Sequence, residues 1–193
     1  MDDVWMIVGL GNPGPTYART RHNVGYAVAD LLAERMSGSW RAHKSGRAQV
    51  VEGRLSGTPG VRCVLGRTRS YMNESGGPVS TLLNFYKVPV DHLVVVHDEV
   101  DLPYGTLRAK FGGGDNGHNG LKSLRRSLGS GEYYRVRFGV GRPPGQRDTA
   151  GHVLSPFTRS EDRELDFFVD RCADAVECLV TDGLERTQNL YNS

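Results

Sequence analysis

The sequence predicts an α/β protein, a β-sheet flanked by helices, and three observations carry that prediction. A short apolar strand (Met6, Ile7, Val8, Leu10) runs into a Gly/Pro-rich loop and then into a helix, the usual strand-loop-helix order of α/β folds. Leu93-Val94-Val95-Val96 is apolar on both faces, as a central, fully covered strand is. Segments with apolar residues at helical spacing alternate with segments in which every second residue is apolar.

The elements follow in order. Val24, Ala27, Val28, Leu31, Leu32 and Met36 form a helical stripe, with Asn23 placed to cap it through its side-chain oxygen. Residues 47–55 and 61–67 read as two strands joined by Ser56-Gly57-Thr58-Pro59-Gly60. A polar loop, Arg69 to Gly77, precedes a helix that opens at Pro78 and buries Val79, Leu82, Leu83 and Tyr86. Leu107, Ala109 and Phe111 alternate with Arg108 and Lys110, a strand with a basic outer face. The next helix turns Leu121, Leu124 and Leu128 inward and Lys122, Arg125 and Arg126 outward, and Gly129 ends it. Tyr134, Val136, Phe138 and Val140 form a last strand, interleaved with Arg135 and Arg137. Thr158-x-x-Glu161 is a capping box before the cleanest amphipathic helix of the chain, Leu165 to Val180, which is core packing without chemistry.

Length and composition bound the function. The 193 residues suffice for one domain, 1–193, with a sizeable core. No run of 18 apolar residues and no basic-then-apolar leader exists, so neither a membrane span nor secretion is expected. The three cysteines have no metal-ligand spacing, and the plain reading is a reduced, cytoplasmic protein. The net charge of +2 hides an asymmetry. Residues 1–159 hold 21 Lys/Arg against 13 Asp/Glu, a balance of +8, and residues 160–193 hold 3 against 9, a balance of −6. A basic body points to a polyanionic partner, against the plainer reading of an ordinary soluble surface.

Chemistry-bearing residues gather in three places. His22 stands at the mouth of the first strand-to-helix connection, where α/β proteins keep their sites. Asp98, Glu99 and Asp101 crowd the carboxyl end of the buried strand, and like charges so close need a donor, for which His22 is the candidate. His97, beside Asp98, is a rival base, but strand alternation turns it to the opposite face. Gly112 to Gly120 holds five glycines and leads into His118-Asn119 at a helix start, the pattern of a mobile loop over a substrate. Gly9 to Gly14 matches the dinucleotide pattern G-x-G-x-x-G, but Pro13 and Pro15 remove N–H donors and no acidic residue closes a second strand. The histidines show no zinc spacing and no G-x-S-x-G occurs, so neither a metal nor a cofactor nor covalent catalysis is expected.

The polar blocks GLGNPGPTYARTRHNVG, SYMNESG, HDEVDLPYGTLRAKFGGGDNGHNGLKS and YRVRFGVGRPPG, in that order, together resemble the bacterial-type peptidyl-tRNA hydrolases. The tail, DGLERTQN, is also similar to the family's end. The resemblance implies a three-layer fold with a twisted mixed sheet between helices. It implies a monomer that needs no cofactor and hydrolyses the ester joining an N-blocked peptide to the 3′-terminal ribose of tRNA. By the same resemblance His22 is the catalytic base and Asp98 its partner. Asn12, Asn73 and Asn119 match the family's active-site asparagines. Tyr17, Met72 and His118 match positions near the peptide and the 3′ end, with Tyr71 beside Met72 as a further substrate contact. Lys110 and Arg137 match residues that hold tRNA phosphate, and Lys122, by its place on the helix after the glycine loop, extends that track. Two departures stand out: Arg67-Thr68 replaces the usual Lys-Pro, and Asp115-Asn116 adds a negative charge near that track. The alternatives are a non-catalytic RNA-binding relative and a nucleotide-dependent oxidoreductase.

The residue types suit the reaction. An aminoacyl ester is already activated, so a positioned water and a base suffice. A carboxylate on the other ring nitrogen fixes the tautomer and steadies the imidazolium that forms. Asparagine amides can donate to the oxyanion, one such donor being worth about 2.7–4 kcal/mol in a well-studied hydrolase.

Overall fold

The computed structural model describes residues 3–55, 60–145 and 148–192; of the turn expected at 56–60, all but Gly60 lies outside them. Seven strands form one mixed sheet: β1 (Trp5–Gly9), β2 (Arg41–Ala42), β3 (Ala48–Leu55), β4 (Val61–Thr68), β5 (Leu93–Glu99), β6 (Leu107–Phe111) and β7 (Tyr134–Gly139). Their order is β2-β3-β4-β1-β5-β7-β6. The inner strands β4, β1, β5 and β7 run parallel, while β2, β3 and β6 join antiparallel at the two edges. All four inner strands therefore end on the same side, and the loops that leave them converge there, where open α/β sheets bind ligands.

Helices cover both faces. α1 (Val24–Arg35) and α5 (Arg159–Asp182) pack one face, around Ile7, Val94, Val96, Leu32 and Val176. α2 (Gly76–Tyr86) and α3 (Asn119–Leu128) pack the other, around Met6, Val8, Val95, Leu82 and Leu124. The two sets of β5 residues alternate, so the all-apolar run is explained by cores on both faces. The short α4 (Thr149–Val153) precedes α5, and α6 (Leu184–Tyr191) follows it. α6 and the residue after it protect the exposed edge of β6: the Ala109 N–H donates to Asn192 Oδ1 at 2.8 Å, and Gln188 Nε2 donates to the Ala109 carbonyl at 3.1 Å.

Most expected elements stand where periodicity puts them, including the Thr158–Glu161 capping box and the left-handed Gly129 after α3. Two local expectations are corrected. Pro78 is the third residue of α2, not the first; its missing N–H is still among the four that a helix start leaves unpaired. Asn23 stands at the start of α1 but makes no side-chain cap, because its amide is committed elsewhere.

Glycine sets the distance between α1 and the sheet. A Cβ on Gly25 would lie 2.5 Å from the Val96 carbonyl oxygen and 2.6 Å from that of Leu10, both backbone atoms. Only a residue without a side chain lets the first turn of α1 sit on β1 and β5, which brings His22 over the end of β5. Gly25→Ala is expected to lower stability by about 1–3 kcal/mol, the usual cost of overpacking. Urea unfolding reads this as a lower midpoint at unchanged slope, and an unchanged midpoint would show that helix and strand can separate freely.

Candidate active site

Asp98, near the end of β5, is buried and accepts from two imidazoles. His22 Nδ1 lies 2.8 Å from its Oδ2, and His118 Nε2 lies 2.8 Å from its Oδ1. The two rings are 5.0 Å apart, centroid to centroid. Burial alone would raise the Asp98 carboxyl, but the paired imidazoles outweigh it and hold the group well below the usual carboxylate range.

Each imidazole is fixed by the element that carries it. His22 lies in a 3-10 turn, Arg21–Asn23, at the entrance to α1. The neighbouring Arg21 is buried and ties this turn to the start of α5, its guanidinium 2.8 Å from Glu161 Oε1. His118 is the N-cap of α3: its Nδ1 accepts from the N–H groups of Gly120, at 3.1 Å, and Leu121, at 3.3 Å. A nitrogen that accepts carries no proton, so the neutral His118 ring has its proton on Nε2 and donates it to Asp98. His22 Nδ1–H donates to the other carboxylate oxygen, which in the neutral ring leaves the lone pair on Nε2.

Asn12 follows β1 and is held from both sides. Asn23 Oδ1 accepts from the Asn12 N–H and Asn23 Nδ2 donates to the Asn12 carbonyl, each at 2.8 Å. This is why Asn23 does not cap α1. The Met72 N–H donates to Asn12 Oδ1 at 2.6 Å, so the amide nitrogen of Asn12 is the end left for a ligand.

These residues line a cleft of about 510 Å³ together with Met72, Asn73, Asn119 and an apolar wall of Val100, Val153 and Leu154. Of the expected site residues, the structure thus brings His22, Asp98, Asn12, Met72, Asn73, His118 and Asn119 together. Lys110 and Arg137 line a separate cavity of about 170 Å³ with His97, Arg135 and Asn116. Burial, with the Arg137 and Arg135 charges, holds the Lys110 ammonium below its usual value. Tyr17 and Tyr71 meet edge to face, with centroids 6.3 Å apart, and line neither space; nor does Lys122, which is exposed on α3.

His22, the donor expected at this cluster, serves Asp98, while the other two carboxylates find arginines: Asp101 pairs with Arg142 at 2.6 Å and Glu99 faces Arg137 at 3.5 Å. Asn116 joins the last two: its Nδ2 is 2.7 Å from Asp101 and 3.0 Å from Glu99. Its φ of 52° is a left-handed value that asparagine tolerates better than most residues. Asp115 accepts from the Gly117 N–H at 2.9 Å within the loop. Arg67 pairs with Asp30 at 2.6 Å and stacks on Trp40, so that departure stays within a surface cluster.

His97 is fully buried on the opposite face, as alternation required, and donates through Nδ1 to the Asp98 carbonyl at 2.7 Å. Burial and the nearby His118 push it down to about 3, so it stays neutral and outside the cleft. Sequence reasoning missed Asn23, Asn116 and Arg135. Arg135 is buried and holds the carbonyls of Gly113, Gly114 and Gly131, fixing the glycine loop from below. Its signal was a charge at the centre of an interior strand.

His22, Asp98 and His118 bring three potential metal-ligand atoms within 4.8 Å of one another. The fixed proton on His118 Nε2 makes that nitrogen a donor to Asp98 rather than a ligand, so the set fits proton sharing better than chelation.

The family model for peptidyl-tRNA hydrolase matches residues 6–193. The chain belongs to the peptidyl-tRNA hydrolase family. It is 60% identical over 192 residues to the peptidyl-tRNA hydrolase of Streptomyces coelicolor, covering 98% of this chain and 95% of that one. The Frankia alni peptidyl-tRNA hydrolase is 54% identical, with 100% and 95% covered. The crystal structure of the Acinetobacter baumannii peptidyl-tRNA hydrolase superposes with a TM-score of 0.89 at 31% identity, covering 100% of this chain and 97% of that one. The mixed sheet between two helical layers is thus the family's fold.

His97 gives the site a pH signature. Its folded value, about 3, lies below the unfolded value of about 6.5, so the unfolded chain takes up a proton that the folded one refuses. Stability contributed here is present above about pH 6.5 and falls by at most about 1.4 kcal/mol per unit as pH drops toward 3. In urea unfolding at pH 7 and pH 5, His97→Gln is expected to lose less stability between the two than the unsubstituted protein. Equal losses would mean that His97 takes up its proton in the fold.

Proposed function

We propose that the cleft hydrolyses the ester between an N-blocked peptide and the 3′-terminal ribose of tRNA, with His22 as base and Asp98 as its partner. The observation that carries this reading is the buried Asp98 carboxylate bonded at 2.8 Å to His22 Nδ1. Asp98 holds the tautomer whose Nε2 accepts a proton from water, and steadies the imidazolium once it forms. The ester carbonyl lies against the amides of Asn12, Asn73 and Asn119, whose N–H groups meet the developing oxyanion. Met72 and the Val100–Val153–Leu154 wall take apolar parts of the peptide, with Tyr17 and Tyr71 at the rim. Lys110 and Arg137 hold a tRNA phosphate, beyond the wall that Asn116 makes, and Lys122 meets another. The protein acts as a single-domain monomer in the cytoplasm, without a metal or cofactor; among the described residues no helix is long and apolar enough to cross a membrane.

His22→Ala is expected to lower kcat for peptide release from N-blocked aminoacyl-tRNA by about 10²–10⁴-fold, the range for a lost general base, with tRNA affinity kept. Full turnover in that variant would remove His22 from the mechanism and favour another base. Lys110→Ala is expected to weaken tRNA binding and to reduce the slope of log K against log salt by about one. An unchanged slope would take Lys110 off the RNA.

A further inference from the structure

A second groove, of about 470 Å³, opens on the other side of the Met72–Glu74 turn from the catalytic cleft. Asn73 faces the cleft and Glu74 the groove. α3 forms the shared wall: Asn119, in its first turn, lines the cleft, and Arg126 and Ser127, two turns on, line the groove. α2 closes the floor, its Gly76 N–H donating to Ser123 Oγ at 2.9 Å. A Cβ on Gly76 would lie 2.2 Å from the Ser123 carbonyl oxygen, so the two helices touch there.

Three arginines converge on this groove: Arg47, Arg69 and Arg126, all exposed. The Arg69 N–H donates to the Arg47 carbonyl at 3.0 Å, which brings the two side chains out of adjacent chain segments. The Arg47 guanidinium donates to Thr81 Oγ1 at 3.0 Å and lies over Gly77, at the positive end of the α2 dipole. Among the described residues none of the three makes an ion pair with a carboxylate. Glu74 is the single acid in the lining, against three fixed guanidinium charges. Arg21, Arg35, Arg67 and Arg142 are each matched by a carboxylate, whereas these three converge without one on a single concave lining. Concave shape with unmatched arginine suits a phosphate chain.

We propose that this groove holds backbone phosphates of the single-stranded 3′-terminal segment of the substrate tRNA, next to the esterified ribose. The proposal rests on the reading of the cleft as the seat of the ester. From Asn119 to Arg126 is about 10 Å along the axis of α3, so a strand whose terminal ribose sits in the cleft reaches the arginines within its last few nucleotides. Peptide and RNA then leave the cleft by different routes. The apolar Val153–Leu154 side takes the peptide, the arginine side the RNA strand, and Lys110 with Arg137 a further phosphate.

The test uses the full chain with Arg69 and Arg126 both changed to Gln; both are exposed and free of carboxylate partners, so the fold does not depend on them. Two substrates are compared, an N-acetyl-aminoacyl ester on tRNA and the same ester on adenosine alone, which has no upstream phosphate. With tRNA the KM is expected to rise about tenfold at unchanged kcat, as two exposed charge contacts imply. The salt slope of tRNA binding, measured in a His22→Ala background, is expected to fall by about 1.4, at about 0.7 per single-strand phosphate. Turnover of the adenosine ester is expected to stay the same. An unchanged KM and slope with tRNA would overturn the proposal, and so would an equal KM rise on the adenosine ester, which would place the peptide in the groove. Because binding is read without turnover, a failure of the cleft to hydrolyse either ester would contradict the catalytic reading while leaving the groove decided by the salt slope.

Discussion

A carboxylate that has lost its water must find donors or give up its charge. Asp98 keeps its charge because two imidazoles, brought from opposite sides of the chain, each give it a hydrogen bond at 2.8 Å. Everything else in the site follows from that requirement. The parallel inner strands end together, β5 supplies the carboxylate, the turn before α1 supplies one ring and the cap of α3 supplies the other. Since each ring gives one N–H to Asp98, what differs is the second nitrogen: in His118 it caps a helix, and in His22 it makes no hydrogen bond among the described residues.

The same side chains serve the fold and the site. His118 takes two of the unpaired N–H groups of α3, which makes it rigid as well as correctly protonated. Glu161 belongs to the capping box of α5 and also receives Arg21, so a helix with no chemistry of its own anchors the segment that carries His22. Arg135 holds three loop carbonyls from beneath, which spends a buried charge on shaping the glycine loop. Asn116 walls the cleft off from the basic cavity by bridging Glu99 and Asp101. The result is a cleft in which His22, Asp98, His118 and Asn12 are held before a substrate arrives, the condition under which dipoles aid a reaction most.

How much of this was legible in the sequence depended on range. Periodicity reports burial, and burial is what the sheet and helices consist of, so β1, β5, α3 and α5 stood out, as did the capping box. The residues of the cleft were legible as ordered blocks resembling a family. What failed was pairing across the chain. Asn23 obeys the local rule for a helix cap, yet its amide is taken by Asn12, eleven positions away, and a local rule cannot register that competition. Three neighbouring carboxylates looked like one demand for one donor, but alternation along β5 sends Asp98 to one face and Glu99 to the other, where Arg137 waits. Asn116 was visible only as an extra polar residue in a glycine loop. Its positive φ and its two carboxylate contacts come from the closed loop, not from its neighbours in sequence.

The claim on which the account turns is the tautomer of His22. Nitrogen-15 NMR of the imidazole side chains at neutral pH reads it directly, through the distinct shifts of protonated and bare ring nitrogens. The account predicts a His22 ring protonated at Nδ1 and bare at Nε2, and a His118 ring with the reverse pattern. A His22 ring carrying its proton on Nε2 would contradict it, since the nitrogen required to accept a proton from water would already hold one.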